Sequence, residues 1–231
     1  MKKLCLPALL VGSLIVAGCR TLPEEPAAPV LPERPSLPVM ERKPGDYAVE
    51  IRVMDMTASS KNLLYTNPNL YADQIYAAPD TQTVPLPVFH MAAGETGTVD
   101  ARTSLAYPAA FDEAGDATEY KADTIGTYAT VKLRLDQKRG LVLDLKVEDS
   151  NPVWMREFVT PSGERYARPV CETVSVQTQG LVGNLNEWTV LTGGSIPVER
   201  QSLTRDKRVE TQRFNVWRIV LARVVRPSDT P

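Results

Sequence analysis

From Tyr47 onward the chain alternates apolar and polar residues with a period of two. Val49, Ile51 and Val53 fall on one side, and Glu50 and Arg52 on the other. Ala129, Val131, Leu133 and Leu135 alternate with Thr130, Lys132 and Arg134, and Leu141, Leu143, Leu145 and Val147 alternate with Asp144, Lys146 and Glu148. Successive side chains of a strand point to opposite faces, so this spacing predicts strands with one buried face. Asp136-Gln-Lys-Arg-Gly140 is a short polar link ending in glycine, and it predicts that the last two runs form an antiparallel hairpin. Further strands are expected at Thr98–Leu105, Thr173–Thr178, Glu187–Thr192 and Phe214–Val225. The last is apolar on both faces around Ile219, Val220 and Leu221, as a central strand is. The best helical pattern is short, near Asn69–Ala77. The expected fold class is therefore mainly β, antiparallel sheets with one or two short helices, over residues 45–227, with 228–231 as a tail.

The first 44 residues have a different texture. Lys2 and Lys3 precede an apolar run from Leu4 to Val16, which ends in Val16-Ala-Gly-Cys19. The run is too short to span a bilayer as a permanent helix and has the build of a secretory signal. With small residues before Cys19, it resembles the lipobox of bacterial lipoproteins. The resemblance implies that residues 1–18 are removed and that Cys19 becomes the acylated N-terminus. Each buried methylene then contributes about 0.8 kcal/mol, so two or three chains hold a protein on a membrane almost permanently. Arg20, rather than the aspartate that favours inner-membrane retention in enterobacterial lipoproteins, points to the outer membrane.

Residues 19–44 carry Pro23, Pro26, Pro29, Pro32, Pro35 and Pro38, spaced by three, and then Pro44. Polyproline II has three residues per turn, so these rings line one edge of an extended helix. At about 3.1 Å per residue such a linker reaches roughly 75 Å, which predicts a semi-stiff spacer between lipid and domain.

Composition removes several functions. Lys+Arg 26 against Asp+Glu 28 leaves a net charge of −2, without the basic excess of a nucleic-acid binder. The stretch Arg200 to Arg213 interleaves Glu199, Asp206 and Glu210 and reads as a mixed, solvated loop. Once Cys5 and Cys19 are accounted for, Cys171 stands alone, and a small buried apolar role is expected for it. His90 is the only imidazole and has no nucleophile-elbow motif beside it. Asp112, Glu113, Asp116 and Glu119 cluster without the loop pattern of a calcium site. Gly193-Gly194 lacks the strand–glycine–helix context of a phosphate loop. No catalytic residue, cofactor or metal site is expected, and the protein is not expected to be an enzyme.

The order of strands and turns resembles the core of secretins, the ring-forming outer-membrane pore family of type II and type III secretion and type IV pilus systems. Tyr47 to Met56 is similar to the family's opening strand. Val84-Pro-Leu-Pro-Val88, Gly94 to Ala101 and Ala106-Tyr-Pro108 look like its proline-marked strand, glycine turn, strand and closing proline. Ile125-Gly126 before Val131 to Leu135, then Gly140 to Val147, resembles its alternating strands and Asp/Gly turn. Arg168 to Thr178, Asn186 to Gly194, and Trp217 to Pro227 look like its closing strands. The chain departs from the family where only 16 residues separate Pro108 from Ile125 and where Ser195-Ile-Pro197 stands for a longer signature. The resemblance implies a shortened, secretin-like domain and a structural or accessory part in a secretion- or pilus-type assembly. Its partners would be further copies of itself or secretion-system proteins. The alternative is a monomeric β-sandwich adaptor lipoprotein of the periplasm, with Trp154, Tyr166, Trp188 and Trp217 either lining a site or filling a core.

Overall fold

The alternation from Tyr47 becomes strand β1 (Tyr47–Met56), and the apolar segment at the other end of the chain becomes β9 (Val209–Val225). The two pair antiparallel from Ala48↔Val225 to Met56↔Trp217. The computed structural model describes residues 29–138, 140–160, 162–203 and 208–226. Between these strands lie α1 (Ala58–Thr66), α2 (Pro68–Tyr76), β2 (Gln82–Val84), β3 (Phe89–Met91), β4 (Thr96–Phe111), β5 (Ala117–Asp136), β6 (Gly140–Val159), β7 (Arg165–Leu181) and β8 (Thr189–Leu203). Among the described residues the fold is mainly β and antiparallel with two short helices, as the periodicity predicts.

The strands form two sheets. Sheet one has the order β2-β1-β9-β8, with β3 also on β1; sheet two has the order β4-β5-β6-β7. They pack face to face through Val49, Ile51 and Val53 of β1 and Val220, Ala222 and Val224 of β9 on one side. Ala129, Val131 and Leu133 of β5 and Leu143, Leu145 and Val147 of β6 face them. On its other face sheet one carries the two helices over Met54, Met56, Ile219 and Leu221, with Leu64, Ala72 and Ile75 from the helices. β9 is thus covered on both sides and central, which is why its apolar residues run on without alternation.

Helix α2 has a readable start. Pro68 sits in its first turn, and the Asn67 side chain accepts a hydrogen bond from the Leu70 amide at 3.1 Å. Helix α1 has no such side-chain cap at Thr57 and buries only Leu64, so its sequence carried little signal. The proline-marked run expected as one strand is two. Pro85 and Pro87 break it, and β2 and β3 pair with opposite ends of β1 at Val53↔Val84 and Tyr47↔Met91. The prolines inside strands all occupy free edges. Pro108 lies on the edge strand β4, Pro169 on β7 and Pro197 on β8. Pro152 follows the point where β6 leaves β5.

Two expectations are corrected. Arg200 to Arg213 is not a loop: β8 and β9 run through most of it as a hairpin, pairing from Thr189↔Ala222 to Leu203↔Val209, with 204–207 outside the described residues. Its mixed charges suit a ribbon wetted on both faces, and Glu199 and Arg213 sit directly opposite each other. The proline segment is also not a free spacer at its C-terminal end. Leu37 and Met40 pack on the main core, and Arg34 reaches in to Asp149. Apolar residues between the prolines give this segment a face to bury, so its reach shortens by that docked length.

Candidate functional site

Sheet two is one sheet at one end and two ribbons at the other. β5 and β6 pair from Asp136↔Gly140 only as far as Gly126↔Ser150. Beyond that point β4 and β5 continue as one ribbon to Phe111↔Ala117, and β6 and β7 as another to Val159↔Arg165. Gly126 stands at the parting, where β5 closes tightly on β4. Its φ is +108°, and a Cβ there would lie 2.1 Å from the Ala101 carbonyl oxygen. The two ribbons then meet through Phe111, whose ring centroid is 5.7 Å from that of Phe158 and 5.0 Å from that of Tyr166. At the tips Gly115 is so close to Ser162 that a Cβ would fall 1.9 Å from its hydroxyl oxygen. Between the ribbons, burial first and the nearby Asp123 charge second push the Tyr107 phenol above its ordinary range.

Where β7 approaches the β8–β9 hairpin there is a cleft of about 240 Å³, lined among others by Asp55, Cys171, Glu172, Arg200 and Arg218. Its charges are paired. The Arg218 guanidinium donates to both Asp55 oxygens at 2.7 and 2.6 Å, with each side chain 8% exposed. Glu172 accepts from Arg200 at 2.8 Å and from Gln82 at 3.2 Å. Glu172 on β7 thus ties sheet two to sheet one, while the Asp55–Arg218 pair bridges β1 and β9 within sheet one. None of these groups is left unpaired and poised for proton transfer.

The residues singled out from the sequence do not converge. Cys19 lies outside the described residues. His90 is half-buried on β3 opposite Ala48, and its Nδ1 has no hydrogen-bond partner, so nothing orients the ring as a triad requires. Asp112 holds a turn: its Oδ1 accepts from the amides of Ala114 and Asp116 at 3.0 and 2.9 Å. Glu119 pairs with Lys121 on the surface of β5. Among the described residues no three His, Cys, Asp or Glu side chains gather as metal ligands. Gly193 is the close-approach point for α1, since the Tyr65 hydroxyl would lie 2.3 Å from a Cβ there.

The aromatic residues divide between two places. Trp188 and Trp217 belong to the helix-side core, where Arg52 and Arg223 stack on Trp188 at 4.2 and 4.7 Å from its ring centroid. Trp154 and Tyr166 sit on the β6–β7 ribbon. The network that sequence reading missed is the charged one. Asp55 and Arg218 each interrupt an apolar run, and that interruption was the signal available.

Cys171 is half-buried on β7. Burial pushes its thiol up; the Asp123 charge adds to the rise, while a hydrogen bond with Ser150 acts the other way. The thiol therefore stays protonated at neutral pH. Alkylation at Cys171, followed by peptide mass spectrometry, is expected to run about ten-fold or more slower in the folded chain than in denaturant. Equal rates would refute the burial account.

The sequence matches no protein-family model and no curated protein. Among solved structures it is similar to the secretin-domain β-barrel of InvG from the Salmonella SPI-1 injectisome, at 11% identity and a TM-score of 0.44, over 81% of this chain and 64% of that one. A near-atomic structure of the same injectisome secretin is similar at 13% identity and a TM-score of 0.44, over 81% and 66%. The type II secretion secretin GspD of E. coli K12 is similar at 13% identity and a TM-score of 0.37, over 79% and 50%. The chain spans less than two thirds of the length of each.

Proposed function

We propose that the protein is a lipid-anchored component of the bacterial envelope that assembles through its strand edges, as a structural or accessory part of a secretion- or pilus-type machine. The observation that carries this reading is sheet two. It ends in two long strands, β4 of 16 residues and β7 of 17, and no described strand pairs with the outer side of either.

Four strands in alternating sense leave β4 and β7 running in opposite directions. A second copy rotated about a common axis brings its β4 beside this β7, and the new pair is again antiparallel. The same step repeated extends one ladder from copy to copy and closes when the rotation divides a full turn. A long unpaired edge is a template for pairing, and a protein that stays monomeric guards it with charge, proline or a cover. Here Pro108 and Pro169 interrupt only the ribbon halves of the two edges, and Thr96 to Tyr107 contains no proline. The lipobox at Cys19 supports the envelope as the site, since acyl chains would hold every copy on one surface and raise their effective concentration.

The test uses the full chain expressed with its N-terminus in a bacterium. Light scattering of the detergent-extracted protein is expected to give a mass several-fold above the 25.5 kDa chain. A mass near one chain, unchanged by concentration or by added envelope extract, overturns the assembly reading. Cys19→Ser is expected to move the protein from the membrane to the soluble fraction. If it remains on the membrane, the lipid anchor falls while the edge reading stands.

A further inference from the structure

The segment before β1 is an extended strap held by side chains. Among the described residues, no backbone–backbone hydrogen bond joins residues 29–41 to the sheets. Arg34 anchors the strap, and the apolar pair Leu37 and Met40 lies against the main core. Arg34 Nη2 pairs with the Asp149 carboxylate and donates to the Thr127 hydroxyl at 3.0 Å, and Nη1 donates to Asn151 at 3.3 Å. Thr127 in turn donates to Asp149 at 2.7 Å. The Asp149 side chain is 5% exposed, while that of Arg34 is 26% exposed.

This arrangement has the chemistry of a receptor. A nearly buried carboxylate, a hydroxyl and an amide oxygen converge on one planar cation, and the acceptors come from strands β5 and β6, which belong to the rigid core. A cavity of about 100 Å³ lies beside the guanidinium, with Asp55 and Glu172 also in its lining. The cation comes from a segment that enters through a tight turn. The Asp46 amide bonds the Lys43 carbonyl at 3.1 Å, the Lys43 amide bonds the Asp46 side chain at 2.9 Å, and Gly45 has φ +86°. Release of residues 29–40 from the core would break no backbone–backbone hydrogen bond to the sheets.

We propose that Asp149, Thr127 and Asn151 form a binding site for an extended, arginine-bearing peptide segment, and that residues 29–40 are its resident, exchangeable ligand. The site does not depend on the assembly reading, because every contact in it lies within one chain. Occupancy in cis blocks entry of another segment at low concentration, since a tethered ligand competes at a high effective concentration. A vacated site leaves Asp149 buried without its cation, so it takes up the next guanidinium of matching shape.

The probe is a fluorescent peptide with the sequence of residues 29–40, titrated into the full chain and read by anisotropy. Arg34→Glu puts a second anion against Asp149 and undocks the resident strap. That variant is expected to bind the peptide saturably and more tightly than the unsubstituted chain does. Replacing the peptide's arginine with alanine, or adding Asp149→Asn to the variant, is expected to weaken binding about ten-fold or more. If Arg34→Glu keeps its spectrum and melting temperature but does not bind, the proposal is overturned. Binding that is indifferent to the arginine or to Asp149 overturns it as well. Should that variant not fold, Leu37→Ser with Met40→Ser loosens the strap while leaving the receptor intact, and the same titration and outcomes apply.

Discussion

Replacing Arg218 with alanine is expected to destabilise the fold by about 3–5 kcal/mol, the usual cost of removing one partner from a buried ion pair. Arg218 and Asp55 are both 8% exposed and bonded in a fork at 2.7 and 2.6 Å. Alanine leaves the Asp55 carboxylate in place, out of water, with its cation gone. The desolvation cost of that charge then has nothing to offset it. A urea titration followed by far-ultraviolet circular dichroism reads the loss as a lower midpoint. Asp55→Leu combined with Arg218→Met removes both charges and keeps apolar volume, so it is expected to be far less damaging than either single change. If Arg218→Ala leaves the midpoint where it was, the pair is not buried as described. If the double replacement is as harmful as the single one, the pair itself, rather than an orphaned charge, carries the stability.

The second large effect is expected at Gly126. An alanine Cβ there would stand 2.1 Å from the Ala101 carbonyl oxygen and 3.2 Å from the Arg102 Cα, both backbone atoms that a rotamer change cannot move. The backbone is also at φ +108°, which side-chain-bearing residues rarely adopt. Strain at the dihedral and overpacking against the neighbouring strand together predict a loss on the order of 3 kcal/mol. Gly140→Ala is the matched control. Its φ is +90°, but nothing lies within 4 Å of the added Cβ, so it carries the dihedral cost alone. Comparing the two unfolding midpoints isolates the close approach of β4 to β5 at the point where sheet two parts. Equal losses would mean that the contact with Ala101 is not what requires glycine at 126.

Much of the secondary structure could be read from the chain because strands with one wet face print their period directly. β5 and β6, with the turn between them, lie where Ala129 to Leu135 and Leu141 to Val147 place them. Their lengths could not be read. β5 begins at Ala117, and over its ribbon half the exposed residues no longer alternate with buried ones, since a two-stranded ribbon has little core to face. The helix α1 was silent because a single buried leucine makes no periodic signal. The charged run at Arg200 to Arg213 was misread for a related reason: polarity marks exposure, and an exposed hairpin is as polar as a loop.

One long-range feature was present in the sequence in a form that is easy to pass over. Glu50 and Asp55 are five apart, and so are Arg218 and Arg223. In the structure Glu50 faces Arg223 and Asp55 faces Arg218 across the β1–β9 ladder. Two opposite-charge pairs with equal spacing fix one antiparallel register. They lie on opposite faces, so one pair closes the cleft between the sheets while the other sits beneath the helices with Trp188. The chain could suggest that register; it could not say which of the two pairs would be dry.

By itself the sequence determined the local periods: where strands run, where glycine turns them, and that an apolar run before Cys19 and a proline-spaced segment precede the alternating stretch. Those follow from dihedral preference and from which side chains tolerate water, and both act over a few residues. Only the tertiary structure decided that sheet two parts at Gly126, that Arg34 folds back onto Asp149, and that β4 and β7 are left as edges. Each of these depends on which distant surface fills the space beside a residue, and no single segment of the chain carries that information.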